Sequence, residues 1–158
     1  MFSVYLETSF FSECCTIRTG EIARGRRATS LNWCEKYASK FDLYVSREVV
    51  RELSSGDFPA AVREPALTML NGLKLLPSTS EVVSFAELLV AERVMPGPAN
   101  EGDAVHLAFS IVHRVDHLLT WNQKHLANPN KRSHLTIIAA RARLVVPEIV
   151  TPDLLLLE

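Results

Sequence analysis

The sequence has few cysteines, and none is spaced like a metal ligand. The 158 residues include three cysteines, Cys14, Cys15 and Cys34, and they form no C-x-x-C pair. A zinc site of the usual spacing is therefore excluded. An odd number of cysteines that includes an adjacent pair is typical of reduced thiols in a cytosol, so we expect a cytoplasmic protein.

The sequence also lacks a long apolar run, an excess of either charge and the common phosphate-binding motifs. No run approaches the about 18 apolar residues of a membrane span, and Glu7 interrupts the first apolar segment too early for a signal peptide. Seventeen basic residues against eighteen acidic ones give a net charge of -1, so binding to nucleic acid would need a local basic patch. No P-loop, G-x-G-x-x-G or H-E-x-x-H motif occurs. We therefore expect no membrane segment and no chemistry that depends on those motifs.

The sequence does contain an alternation of short apolar strands and amphipathic helices. The pattern predicts strands over residues 3–6, 41–46, 73–76, 118–121 and 148–150, and helices over residues 21–40, 47–53, 59–71, 80–94, 103–112 and 131–144. Residues 10–15 either cover the site or begin a helix. Helices between consecutive strands are typical of a mainly parallel sheet with helices on both faces. We predict a single α/β domain over residues 1–158, with residues 3–6 as the central strand.

Two carboxylates lie at the predicted carboxyl edge of this sheet. Glu7 follows the central strand, where an ionised carboxylate is costly unless it is paired, caps a helix or binds a cation. Asp103 lies in the first turn of a helix, a position that the helix dipole alone would explain. Together the two side chains can place oxygen ligands around a hard divalent cation. Such a cation can activate water and stabilise a phosphoryl transition state.

Four segments of the chain resemble the acidic-site segments of the PIN domain family, especially its VapC-type toxins. They are residues 6–9, 48–53, 102–108 and 119–122, which contain Glu7, Glu52, Asp103 and Asn122. The resemblance covers nearly the whole chain in order and spacing. It implies a parallel sheet with flanking helices and Mg²⁺- or Mn²⁺-dependent cleavage of RNA, commonly by the toxin of a toxin–antitoxin pair.

The resemblance also implies roles for these four candidate catalytic residues. Glu7 and Asp103 would hold the metal ion, and Glu52 would help through water. Glu7 stands where the family usually has Asp, and Asn122 stands where it often has Asp. A neutral Asn122 adds no negative charge to the site, so we expect one tightly held ion rather than two.

Four neighbouring polar residues are candidates for supporting the metal site. The hydroxyls of Thr8, Ser9 and Thr120 follow predicted strands, where they can orient the acids or cap helices. Glu101 can support the ion or act as an ordinary acid at a helix start.

Other residues near the predicted site have ordinary explanations. We predict that His106 is a partly buried structural histidine, although it lies one helical turn from Asp103 and could contact substrate. Glu48 is expected on a solvated helix face, and Asp116 in a turn. Trp121 can stack on a base or pack into the core.

Basic side chains near the predicted site are candidates for RNA binding. Arg24, Arg26 and Arg27 lie early in one helix, and Lys124 follows Asn122. If the site cleaves RNA, some of them should contact phosphates. The alternatives are a solvated helix face or contact with an acidic partner segment.

We therefore predict a metal-dependent endoribonuclease that acts on RNA, with an antitoxin protein and a second copy of the chain as candidate partners by resemblance to the family. The main alternative is a catalytically inactive PIN-like domain that binds RNA or protein, supported by the departures at Glu7 and Asn122. A phosphatase with an Asp nucleophile, or a phosphoacceptor domain, is disfavoured. The phosphatase pattern needs acids two residues apart, and position 9 is Ser.

Overall fold

The protein is built on a parallel β-sheet. A computed structural model describes residues 1–156, and within them the sheet has five strands. They are β1 (Ser3–Leu6), β2 (Asp42–Val45), β3 (Lys74–Leu75), β4 (His117–Leu119) and β5 (Glu148–Val150). Their order is β3-β2-β1-β4-β5, and every adjacent pair is parallel. The predicted parallel sheet, with residues 3–6 at its centre, is confirmed.

Helices flank the sheet, as predicted. Those of the described chain are α1 (Thr8–Cys14), α2 (Glu21–Lys36), α3 (Arg47–Ser54), α4 (Ala60–Met69), α5 (Ser80–Ala91), α6 (Asp103–Val112) and α7 (Pro129–Arg141). Residues 10–14 thus lie in a helix, one of the two predicted alternatives, but α1 begins two residues earlier, at Thr8. The helix predicted over residues 21–40 is instead two elements, because the backbone leaves helical geometry at Tyr37 and a short 3-10 turn follows at Ala38–Lys40.

Most helices begin where a polar side chain can cap them. Ser46 accepts a hydrogen bond from the Glu48 backbone N–H at 3.2 Å at the start of α3, and Thr79 begins α5 in the same way. Asn128 caps α7, and Pro129 occupies its first position. The cap at Asn128 explains why α7 starts two residues before the predicted start at 131.

Helix α6 is buried almost completely rather than on one face only. Every residue from Ala104 to Ile111 is buried, because both α5 and strand β4 pack against the helix. The helix follows Gly102, whose φ of +78° and ψ of -146° lie in a region that is essentially restricted to glycine. This turn sets Asp103 in the first turn of α6.

An aromatic cluster holds α2 and the C-terminal segment onto the sheet. The ring of Trp33 stacks on Phe41 at a centroid distance of 5.7 Å and meets Phe10 edge-on at 5.6 Å. Its indole N–H donates to the backbone oxygen of Leu155 at 2.8 Å. A buried indole needs such a partner, so the segment around residue 155 closes the core.

No helix within residues 1–156 combines the length and apolar character that crossing a bilayer requires. The last two residues of the predicted domain, 157 and 158, lie outside the described residues.

Candidate functional site

Polar residues follow three adjacent strands at the same edge of the sheet. Glu7 follows β1, Ser46 follows β2 and Thr120 follows β4. The carboxyl ends of parallel strands meet at one edge, where open α/β sheets bind their ligands. Glu52 of α3 and His106 of α6 reach the same place from the helices, since both contact Thr8 or Glu7.

The Glu7 carboxylate is 5% exposed and is held through one oxygen only. Its Oε2 accepts hydrogen bonds from the Ser9 backbone N–H at 3.1 Å and from the hydroxyls of Ser9 at 2.5 Å and Thr120 at 2.8 Å. Its Oε1 makes no hydrogen bond to any described residue and lies 3.9 Å from His106 Nε2. Glu7 therefore caps α1 with one oxygen and presents the other to the site.

Glu52 lies beside Glu7 and is half-buried. Its Oε1 accepts a hydrogen bond from the Thr8 hydroxyl at 2.7 Å and also contacts His106 Nε2. Burial raises the pKa of Glu52, but the hydrogen bonds from His106 and Thr8 outweigh it, and the pKa lies below its ordinary value. Glu52 is therefore negatively charged at neutral pH.

His106 is fully buried between the two acids and the sheet, with 0% exposure. Its Nδ1 lies 2.7 Å from the Tyr5 hydroxyl, which lies 2.7 Å from Ser46 Oγ. Burial lowers the pKa of His106, but Glu52 and Glu7 raise it more, so it lies above its ordinary value. The prediction of partial burial is wrong, because both faces of α6 are covered.

Glu7, Glu52 and His106 form a cluster with the geometry of a metal site. One ligand atom from each, two carboxylate oxygens and one imidazole nitrogen, lie within 4.8 Å of one another. With small side-chain shifts, three atoms at this spacing can contact one divalent ion. The donor set itself fits a divalent ion, and the Oε1 of Glu7, which accepts no hydrogen bond from a described residue, is free to bind one.

Asp103 lies next to this cluster and is paired with Asn122. Its Oδ1 accepts a hydrogen bond from Asn122 Nδ2 at 3.0 Å, and Asn122 Oδ1 accepts one from the His125 backbone N–H at 3.1 Å. Burial raises the pKa of Asp103, and the nearby His106 and His125 oppose this rise only in part. Asn122 thus positions Asp103, while its own carbonyl oxygen holds the loop after β4.

Glu48 and Glu101 share one arginine at the rim of the site. Glu48 is 3% exposed and pairs with Arg51, and Glu101 is exposed and lies 3.8 Å from the same guanidinium. The prediction of a solvated Glu48 is therefore wrong, because the first turn of α3 packs inward below its Ser46 cap. Asp116 accepts a hydrogen bond from the Ser3 backbone N–H at 2.8 Å, at the amino end of the strands and away from the acids.

The predicted RNA-binding residues divide into two groups. The Arg26 guanidinium lies over the Trp121 ring at 5.2 Å, and Lys124 is exposed in the loop after Asn122. Trp121 is half-buried, and its indole N–H donates to Ser30 at 2.8 Å. The other two, Arg24 and Arg27, are exposed on α2 and line a groove with Ile17 and Leu31. Only Arg26 and Lys124 are thus placed beside the loop that holds Asn122.

Two residues of the site were not predicted, Tyr5 and Ser46. Tyr5 lies between Val4 and Leu6 on the central strand, and nothing in the local sequence distinguishes it from these buried apolar neighbours. Ser46 follows β2 just as Glu7 follows β1, and that position is the signal by which it could have been found.

Several solved structures have a similar fold. The chain superposes on a chain of VapBC2 from Rickettsia felis, solved bound to a DNA fragment from its promoter, with a TM-score of 0.59 and 12% identity over 95% of this chain and 98% of that chain. It also superposes on VapC20 from Mycobacterium tuberculosis, described as a toxin that cleaves the sarcin-ricin loop, with a TM-score of 0.56 and 16% identity over 79% of this chain and 94% of that chain. No family model matches the sequence, and neither does any curated protein. The chain therefore has a PIN domain fold of the VapC type.

Proposed function

We propose that the chain is a single PIN-like domain of residues 1–158 that acts as a divalent-metal-dependent endoribonuclease, the toxin of a toxin–antitoxin pair in the cytoplasm. The observation that carries the proposal is the cluster of Glu7, Glu52 and His106 at the carboxyl edge of the sheet, in which Glu7 and His106 are buried. A fold shared with a toxin that cleaves the sarcin-ricin loop supports RNA as the substrate.

In this proposal the carboxylates of Glu7, Glu52 and Asp103 hold Mg²⁺ or Mn²⁺. When bound, such an ion activates water and stabilises negative charge at a phosphodiester. The hydroxyls of Ser9 and Thr120 fix one oxygen of Glu7, so its other oxygen keeps one direction. Burial at this edge of the sheet strengthens every charge interaction.

The surrounding residues of the chain orient the acids and bind substrate. Thr8 holds Glu52, and Asn122 holds Asp103. Glu101 supports the rim of the site through Arg51. The phosphates of RNA would be bound by basic side chains, of which Arg26 and Lys124 lie beside the site and Arg24 and Arg27 extend along α2.

The partners follow from the same proposal. The similar VapBC2 structure contains DNA from its promoter, which supports an antitoxin as the partner of this chain as well. A second copy of the chain is a further partner that we propose by resemblance to the family.

The function is tested by RNA cleavage with Asp103→Asn and a matched control. Wild-type protein and both variants are incubated with a mixed RNA pool in Mg²⁺, in Mn²⁺ and in chelator. We expect cleavage by the wild type only with metal, a loss of cleavage in Asp103→Asn, and wild-type cleavage in Asp153→Asn, which changes an exposed acid.

Two results would contradict the proposal. Cleavage that persists in chelator would show that the reaction needs no metal ion. An Asp103→Asn variant as active as the wild type would show that Asp103 is not part of the catalytic site. Stoichiometric binding of RNA without metal-stimulated cleavage would instead favour the inactive RNA-binding domain. The observation that supports this alternative is that Asn122 is neutral and that its side-chain oxygen already accepts a hydrogen bond from the His125 backbone N–H.

A further inference from the structure

His106 has the placement of a metal ligand rather than of a core residue. Its imidazole is fully buried, yet its Nε2 contacts Glu52 and lies 3.9 Å from the free Oε1 of Glu7. A buried ring nitrogen directed at two carboxylates can be satisfied either by a proton that it donates or by a metal ion that it binds. The ring is also fixed at its other nitrogen, so Nε2 is held in place before any ligand arrives.

The hydrogen bonds at Nδ1 can select the tautomer that a metal needs. If the Nδ1–H donates to the Tyr5 hydroxyl, then Tyr5 can donate to Ser46 Oγ, and Nε2 carries a lone pair. Metal-bound histidines almost always donate their second N–H to a fixed acceptor in this way. Without metal the same two hydroxyls can reverse direction, so that Nε2–H donates to Glu52.

We propose that His106 Nε2 binds the metal ion directly, together with Glu7 and Glu52, and that the site therefore prefers Mn²⁺ or a similar first-row transition ion to Mg²⁺. This inference rests on the proposed metal-dependent function and adds a nitrogen ligand to it.

The preference follows from the chemistry of the ligands. Mg²⁺ is a hard ion that takes oxygen ligands and keeps most of its water. Imidazole nitrogen best suits Zn²⁺, Cu²⁺, Fe²⁺ and Ni²⁺, and Mn²⁺, at the weak end of the same first-row series, still accepts it more readily than Mg²⁺ does. In a site with two carboxylates and one imidazole, the replacement of one oxygen ligand by Nε2 therefore lowers the affinity for Mg²⁺ more than the affinity for Mn²⁺.

The experiment measures the ligands of bound Mn²⁺ without using activity. Mn²⁺ is added to the metal-free wild-type protein, and pulsed electron paramagnetic resonance is used to detect nitrogen bound to the ion. We expect ¹⁴N modulation that is replaced by ¹⁵N modulation when histidine is ¹⁵N-labelled. The modulation should vanish in His106→Gln and persist in His125→Gln, the matched control near Asp103.

Calorimetry on the wild type supplies a second measurement that does not depend on the folding of a variant. We expect Mn²⁺ to bind at least about tenfold more tightly than Mg²⁺. Bound Mn²⁺ without nitrogen modulation, modulation lost in His125→Gln instead, or equal affinities for the two ions would overturn the inference and leave metal-dependent cleavage intact. A wild-type protein that binds neither ion would overturn the inference and the metal-dependent function together.

Discussion

The Tyr5 hydroxyl is the part of the site whose removal has the most clearly defined cost. In Tyr5→Phe the ring remains in the sheet, but the oxygen that lies 2.7 Å from both His106 Nδ1 and Ser46 Oγ is lost. Ser46 keeps one partner, the Glu48 backbone N–H at 3.2 Å. His106 Nδ1 is left buried without a partner among the described residues.

The expected loss of stability follows from that one unpaired nitrogen. A buried polar group without a partner costs about 1–3 kcal/mol, whereas Ser46 should add little. For a chain of this length each kcal/mol lowers the melting temperature by about 2–4 °C. We therefore expect a fall of about 2–12 °C in the melting temperature, measured in chelator so that metal binding does not contribute.

The control for this variant is Tyr44→Phe on the neighbouring strand β2. Tyr44 is half-buried, and its ring lies beside Lys74 at 5.5 Å. Removal of its hydroxyl should change the free energy of unfolding by less than about 0.5 kcal/mol. Equal losses in the two variants would show that the Tyr5 hydroxyl does not hold His106, and the assignment of its role would then be wrong.

Two further predictions concern the metal-free site. Burial lowers the pKa of His106, but its acidic neighbours raise it further, so its protonated form stabilises the fold fully below about pH 6.5. This contribution is lost as the pH rises through the raised pKa. Urea unfolding in chelator should show that loss, and an unchanged pH profile in His106→Gln would contradict it. In Asn122→Asp a second carboxylate replaces the amide that donates to Asp103, so the free energy of unfolding without metal should fall by about 1–3 kcal/mol. Mn²⁺ should raise the free energy of unfolding of this variant by more than it raises that of the wild type. A variant as stable as the wild type in chelator would refute this.

The sequence was sufficient for the strands and helices because their apolar patterns are local. The central strand, the start of α6 at Asp103 and the start of α3 after Ser46 all follow from such patterns and caps. Element ends were less accurate, as at Tyr37, where the chain leaves the helix although no Gly, Asn or Pro stands there to end it. The packing of neighbouring elements, rather than local preference, sets such boundaries.

The surroundings of the site were harder to predict because they depend on contacts between distant segments. His106 meets Glu52 across 54 residues and Tyr5 across 101, and no periodic pattern encodes such pairs. Glu48 was assigned to solvent because a helical acid usually is exposed, whereas here Arg51 compensates its burial. The roles of Glu7, Glu52, Asp103 and Asn122 remain predictions until the variants are measured.

The two tryptophans of the chain give it a pair of built-in fluorescent reporters. Trp33 is 1% exposed and hydrogen-bonded to the C-terminal segment, so its emission should report on the integrity of the whole fold. Trp121 is half-buried beside the site, with Arg26 over its ring, and an anion that draws the guanidinium away would alter its emission. Binding of phosphate-containing ligands should thus change the emission of Trp121 without any added label.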